Sequence, residues 1–305
     1  MVDNLGAIST ASRGDRAHTT PLGLRRGGLG LVLLMAWALS GCVTSVTSLQ
    51  TARTLDPGQV QVTGAMTASV TTSTIGQAIE AIDASSNRLD SASAAGEPIT
   101  EQEQQEALEA LLGLLLFQPG VATEIIGRVG VVDDFDLGLR YTGQLVKGDG
   151  KFRFWHRDGQ SAALSLGYAY HFGPSSTVLG SVFDLLDYFD VGSFKRHDLD
   201  ANLLWGVDYG EWLSVYAGAR YIISLVQLDP EFQKVLTETS VPSSDADGII
   251  HHLGATTGLF IGYRWVFVNL EMNVLQVFWE PKILGVKRDF SGTLISPAAG
   301  LTFRY

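Results

Sequence analysis

Between Leu253 and Met272 the chain reads LGATTGLFIGYRWVFVNLEM. With period two, Leu253, Ala255, Thr257, Leu259, Ile261 and Tyr263 fall on one face of an extended chain. Gly254, Thr256, Gly258, Phe260, Gly262 and Arg264 fall on the other. After a reversal at Tyr263-Arg264-Trp265 the alternation resumes, with Val266, Val268, Leu270 and Met272 against Phe267, Asn269, Glu271 and Asn273. A sheet in water turns its apolar face to a core and its polar face outward. Here the second face carries glycines, amides and a carboxylate, and aromatic residues gather at the turn. Apolar outside, polar inside and aromatics at the end is the pattern of a transmembrane β-barrel hairpin.

The same alternation recurs along most of the chain. Val60, Val62, Met66 and Ala68 alternate with Gln59, Gln61, Thr63 and Thr67, and Ile125, Val129 and Val131 with Glu124, Arg128 and Gly130. Leu137, Leu139 and Tyr141 oppose Asp136, Gly138, Arg140 and Thr142. A turn at Gly148-Asp149-Gly150 leads to a short KFRFWH strand, with Lys151 and Arg153 on one side. Leu164, Leu166, Tyr168 and Tyr170 then face outward, as do Leu199, Leu203 and Trp205 opposite Asp198, Asp200, Asn202 and Asp208. Val215, Ala217, Ala219 and Tyr221 oppose Ser214, Tyr216, Gly218 and Arg220. The count is about ten strands. Tight turns at Asp133, Asp158, Gly210 and Arg264 alternate with long connections at 70–120, 173–195, 227–248 and 280–292. Short turns at one end and long loops at the other are what an up-and-down antiparallel barrel in a membrane requires. The fold class predicted is all-β, with residues 58–305 forming the barrel.

Residues 70–120 break the pattern. Ile75, Ala78, Ile79 and Ile82 recur at helical spacing, and Thr100 with Glu103 forms a capping box before a stripe of Leu108, Leu111, Leu112 and Leu115. A helical insertion between the first two strands follows, as a self-buried hairpin, as a lid or plug over the mouth, or as a helix at the membrane interface, the last disfavoured by the lack of Lys and Arg on its polar face. In the second arrangement a small apolar ligand could enter beside Leu111 and Leu115. VLGSVFDLLDYF suggests another short amphipathic helix before the sixth strand.

Composition narrows the function classes. Of the 305 residues 46% are hydrophobic and only 17% charged, and the formal net charge is −11. The absence of a basic cluster argues against nucleic-acid binding. A single cysteine, Cys42, allows no intrachain disulfide. Ahead of it, Arg13, Arg16, Arg25 and Arg26 precede an apolar run from Leu29 to Leu39, too short for a spanning helix. Residues 1–41 therefore read as a signal peptide. Residues 42–57 read as a Ser/Thr-rich polar linker without periodicity.

Leu39-Ser40-Gly41-Cys42 resembles the lipobox of bacterial lipoproteins, in which the cysteine is lipidated and becomes the mature N-terminus. Leu301-Thr302-Phe303-Arg304-Tyr305 resembles the terminal assembly signal of outer-membrane barrels. Together they make the chain look like a lipid-anchored bacterial outer-membrane β-barrel protein. The resemblance implies a Gram-negative outer membrane and outer-membrane lipids as partners. It also implies recognition by the barrel-assembly machinery through Leu301, Phe303 and Tyr305. With an even strand count both barrel termini lie on the periplasmic side, and the lipid on Cys42 is expected there too.

The chemistry the interior could carry is set by its charges. Glu124, Asp136, Asp198, Asp200, Asp208 and Glu271 can pair with Arg128, Arg140, Arg153, Arg220 and Arg304, because buried charges require partners. Barrels of about eight strands are filled by side chains, whereas open channels come with about sixteen. A lumen network is thus expected. His171, His197, His251 and His252, with aspartates nearby in sequence, form one candidate rim site that could bind a divalent metal or act in general-base catalysis. No nucleophile elbow, HExxH motif, P-loop or dinucleotide fingerprint occurs. No catalytic set, metal ligand or cofactor is assigned. The function expected is non-enzymatic, as passage or binding of a small molecule at the cell surface or as envelope structure. The alternative is a surface hydrolase using the histidine rim.

Overall fold

The computed structural model describes residues 46–72, 100, 120–172, 189–232, 248–280, 282–283, 286–287 and 289–305. Ten of its strands close into one antiparallel barrel. These are β1 (Val60–Thr71), β2 (Gly120–Val132), β3 (Phe135–Tyr141), β4 (Leu145–Arg157), β5 (Gln160–His171), β6 (Phe189–Tyr209), β7 (Leu213–Phe232), β8 (Gly248–Tyr263), β9 (Val266–Phe278) and β12 (Gly292–Arg304). β10 (Lys282–Ile283) and β11 (Val286–Lys287) pair with each other in the connection between β9 and β12. Each barrel strand pairs with its neighbours in sequence, and β12 closes on β1.

The register sets the shape. From Thr71 it passes through Leu294, Leu275, Gly254, Arg220, Asn202, Ser165, Lys151, Asp136 and Gly130. It returns to β1 at Gln59, whose carbonyl accepts the Gly130 N–H, twelve residues below Thr71. Closure with such a stagger tilts the strands by roughly 35–45° and leaves a narrow interior.

Alternation divides the wall as the sequence predicts. Ile125 and Leu139 are 61% and 60% exposed, while Glu124 and Arg140 beside them retain 2% and 4%. Tyr209, Trp212, Tyr263, Trp265 and Tyr305 ring the tight-turn end, and Tyr141, Tyr168, Tyr170 and Tyr221 lie higher on the outer face. An apolar band between aromatic girdles, around a polar interior, is the build of a membrane-spanning barrel. The tight turns hold left-handed residues that a two-residue hairpin needs, among them Asp134, Asp158, Gly159 and Arg264.

Three boundaries differ from the sequence expectation. Gly148, Asp149 and Gly150 are not a turn but lie inside β4, paired with Leu139, Gly138 and Leu137. The reversal is at Thr142-Gly143-Gln144, where Gly143 has φ of 87°. Local turn propensity lost there to the pairing of Asp149 with a lumen arginine. β6 and β7 also run further than predicted, to Phe189 and Phe232, so the connections there are shorter. The helices expected in 70–120 and before β6 fall mostly outside the described residues, as do Leu111, Leu115 and Cys42.

The largest correction concerns the polar linker. Residues 46–52, Thr54 and Leu55 are buried except for the half-buried Arg53 between them, and they lie inside the barrel. At the tight-turn end the chain turns through Asp56–Gly58, with the Gly58 N–H donating to the Gly130 carbonyl at 2.8 Å, and climbs again as β1. This stretch fills the lumen.

Candidate functional site

The lumen is built around that segment, and its charged side chains hold main-chain atoms. Near the tight turns the Leu55 N–H donates to Asp136 at 3.1 Å, and Lys151 donates to the carbonyls of Thr51 at 3.0 Å and Arg53 at 2.7 Å. Higher up, Arg140 donates to the carbonyls of Thr47 and, at 2.9 Å, Ser48. Arg220 donates to those of Val46 and, at 3.2 Å, Thr47. Glu271 takes the successive N–H groups of Ser48 and Leu49 at 2.6 and 2.5 Å and the Ser48 hydroxyl at 2.8 Å. Converging consecutive N–H groups make an anion cradle, here turned onto a wall carboxylate. Leu49 adopts φ of 47° to present them, a conformation a branched side chain adopts only when its surroundings hold it.

The apolar residues of the segment occupy matching niches. Leu49 packs with Ala65, Ile126 and Ala298, and Ala52 with Ala163, Leu204 and Tyr216. Small wall residues create that room. A Cβ at Gly206 would stand 3.3 Å from that of Ala52, and one at Gly258 would collide with the Tyr216 ring.

The residues expected to form a lumen network fall into two groups. Glu124, Arg128, Asp136, Arg140, Asp198, Asp200, Arg220 and Glu271 are all buried inside the wall. Arg128 bridges Asp136 and Asp149, and Asp200 joins Arg220 to Lys147. Glu124 faces Arg140 at 3.4 Å and accepts the hydroxyls of Thr47 and Thr67. The other three lie towards the tight turns. Arg153 pairs with Asp134, Asp208 accepts from Ser214, and Arg304 lies 4.9 Å from the ring centroids of Phe260 and Phe267. Sequence reasoning missed Lys147, Asp149, Lys151 and Arg196 as members. For Lys147 and Asp149 the misplaced turn hid their alternation, Lys151 shares the side of Arg153 but is not counted with it, and Arg196 lay at the edge of a connection drawn too long.

The histidine rim is not one site. His171 and His252 point into the lumen, whereas His197 and His251 lie on the outer face. His171 bonds Asp198 at 2.8 Å, and Arg196 holds the other oxygen of that carboxylate at 2.8 Å and Ser224 at 2.9 Å. His197 stacks on Tyr168 and His251 on Tyr221, and the tyrosine hydroxyls lie 2.6 and 2.8 Å from their Nδ1 atoms. Neighbours in a strand face opposite ways, so His251 and His252 cannot share a site. Among the described residues no group of three His, Cys, Asp or Glu stands close enough to hold a metal. At the rim outside the wall, the Ser291 hydroxyl and N–H hold the Asp289 carboxyl below its ordinary value.

No protein-family model and no curated protein matches the chain. Among solved structures it is similar to Neisserial surface protein A, at 13% identity and a TM-score of 0.31, over 81% of this chain and 96% of that one. It is also similar to Ail, the attachment invasion locus protein of Yersinia pestis, at 8% identity and 0.29, over 82% and 99%. A third is the translocator domain of the autotransporter NalP from Neisseria meningitidis, at 9% and 0.29, over 83% and 90%. Likeness this remote bears on no activity, and the barrel architecture rests on the strand register itself.

Proposed function

We propose that this chain is a closed outer-membrane β-barrel lipoprotein, anchored through Cys42, that acts without catalysis as a structural and surface-binding element of the envelope. The observation that carries this is the filled lumen. Arg140, Arg220, Lys151, Asp136 and Glu271 are all engaged with the main chain of residues 46–55. A solute pathway would need those groups free and the segment absent. What remains for binding is the surface: the outer face towards outer-membrane lipids and the long connections towards the medium. The C-terminal strand, with Leu301, Phe303 and Tyr305 outward, is the part offered to the barrel-assembly machinery.

Planar-bilayer recording on the purified protein tests it. The intact chain is expected to be silent, and deletion of residues 46–55 to yield discrete conductance steps. Steady conductance by the intact protein would overturn the closed-barrel assignment. The hydrolase alternative gains nothing from the geometry, since two of its four histidines face lipid.

A further inference from the structure

In a chain of formal net charge −11, one place in the lumen gathers only positive charge. Towards the tight turns Arg53 of the lumen segment, Arg128 of β2, Lys151 of β4 and Arg304 of β12 line a single small cavity. No carboxylate lines it.

Two of the four cations are matched nearby. Arg128 bridges Asp136 and Asp149, and Lys151 faces Asp136 at 3.3 Å, so two carboxylates balance two cations. Arg53 and Arg304 belong to no ion pair among the described residues. Arg304 donates to Gln61 Oε1 at 3.1 Å and lies against the rings of Phe260 and Phe267, which leaves its buried Nε–H without a hydrogen-bond partner. The charge that acts most strongly on Arg304 is the repelling one of Arg53. Asp208, Asp56 and Asp136 each attract it more weakly, from beyond ion-pair distance. Two like charges held together out of water are costly unless a counter-charge lies between them.

The space between them limits what that counter-charge is. The cavity measures about 10 Å³, room for one particle the size of a water molecule. A monatomic anion fits it, and a phosphate or sulfate does not.

We infer that this cavity is a binding site for one chloride ion, held between the guanidinium groups of Arg53 and Arg304. The ion accepts the Nε–H of Arg304 that otherwise has no partner, and it supplies the negative charge that the lining lacks. It also ties the lower end of the lumen segment to β12, the strand that closes the barrel. A water in the same place would satisfy Arg304 Nε–H and the Gln50 Oε1, which likewise has no partner, but would leave both positive charges unmatched. The site is independent of whether Cys42 is lipidated.

Unfolding of the full chain in detergent micelles tests this. The urea midpoint is followed while gluconate is replaced by chloride at constant ionic strength. A saturable rise in midpoint is expected for the wild type and for Arg157→Gln, which alters an exposed arginine paired with Asp158. Loss of that rise is expected in Arg53→Gln and in Arg304→Gln. Absence of a saturable rise in the wild type, or its survival in either of those two variants, overturns the site. Should Arg304→Gln not fold, wild-type crystals grown in bromide decide. One anomalous scatterer between Arg53 and Arg304 is expected there, and water density alone at that point overturns the assignment.

Discussion

Glu271 on β9 and Ser48 in the lumen segment are joined by two hydrogen bonds, the main-chain N–H at 2.6 Å and the hydroxyl at 2.8 Å. Tyr216 and Asn273 supply the same carboxylate with further donors at 2.8 Å each. One buried charge therefore ties two strands of the barrel, β7 and β9, to the chain that fills it. Glu271→Gln keeps the shape but removes the charge from these bonds, and hydrogen bonds to a charged group contribute roughly 1.5–3 kcal/mol. The variant is expected to lose about that much stability in denaturant unfolding from lipid vesicles. Ser165→Ala, which removes the contact from Gln50 at 3.1 Å and a long donation to Asp149 at 3.4 Å, is expected to lose less, roughly 0.5–1.5 kcal/mol. Equal losses in the two variants would mean that Glu271 is not a principal grip on the segment.

Neighbouring residues of β8 should fail in different ways. Leu259 faces outward opposite Leu270, and Leu259→Arg is expected to cost roughly 2–4 kcal/mol in lipid because its charge meets hydrocarbon. Gly258 faces the lumen against the Tyr216 ring, so Gly258→Arg acts by displacing that ring. Substituting Tyr216→Ala alongside should recover part of the loss for Gly258→Arg and none for Leu259→Arg. Recovery of both would show that the two residues are not on opposite faces.

Histidine replacements should separate by face. His171→Ala leaves Asp198 with Arg196 alone at that carboxylate, a loss of roughly 1.5–3 kcal/mol. His197→Ala removes an outward ring contact with Tyr168, a loss of roughly 0.5–1.5 kcal/mol. Neither should change any hydrolytic activity, followed by release of a chromogenic ester product. Abolition of such an activity by both variants would revive a joint rim site.

Lipidation has its own check. Cys42→Ser is expected to accumulate as an unprocessed precursor and to take up no radioactive palmitate, whereas the wild type labels. Labelling of the variant at the wild-type level would disprove acylation at this position and leave the barrel untouched.

Period-two alternation is a local property of an extended chain, and it was enough to determine which residues of this protein face lipid and which face inward. Strand number, the tight turns at Asp134, Asp158 and Arg264 and the inward charges from Glu124 to Glu271 were all legible on that basis. So was the division of the histidines, had the alternation of Asp198 with His197 and of Leu253 with His252 been carried through. Pairing was not legible, because periodicity tells a residue's face and not its partner across the lumen. The union of Arg128 with Asp149, inside a stretch whose glycines read locally as a turn, depends on the closed register of β2, β3 and β4. Least legible was the role of residues 46–55. The wall holds that segment largely by its N–H and C=O groups, which every sequence possesses, so no pattern of side chains marks it. Only closure of the barrel around it brings Glu271, Arg220 and Lys151 to those groups and turns an apparent linker into the filling of the lumen.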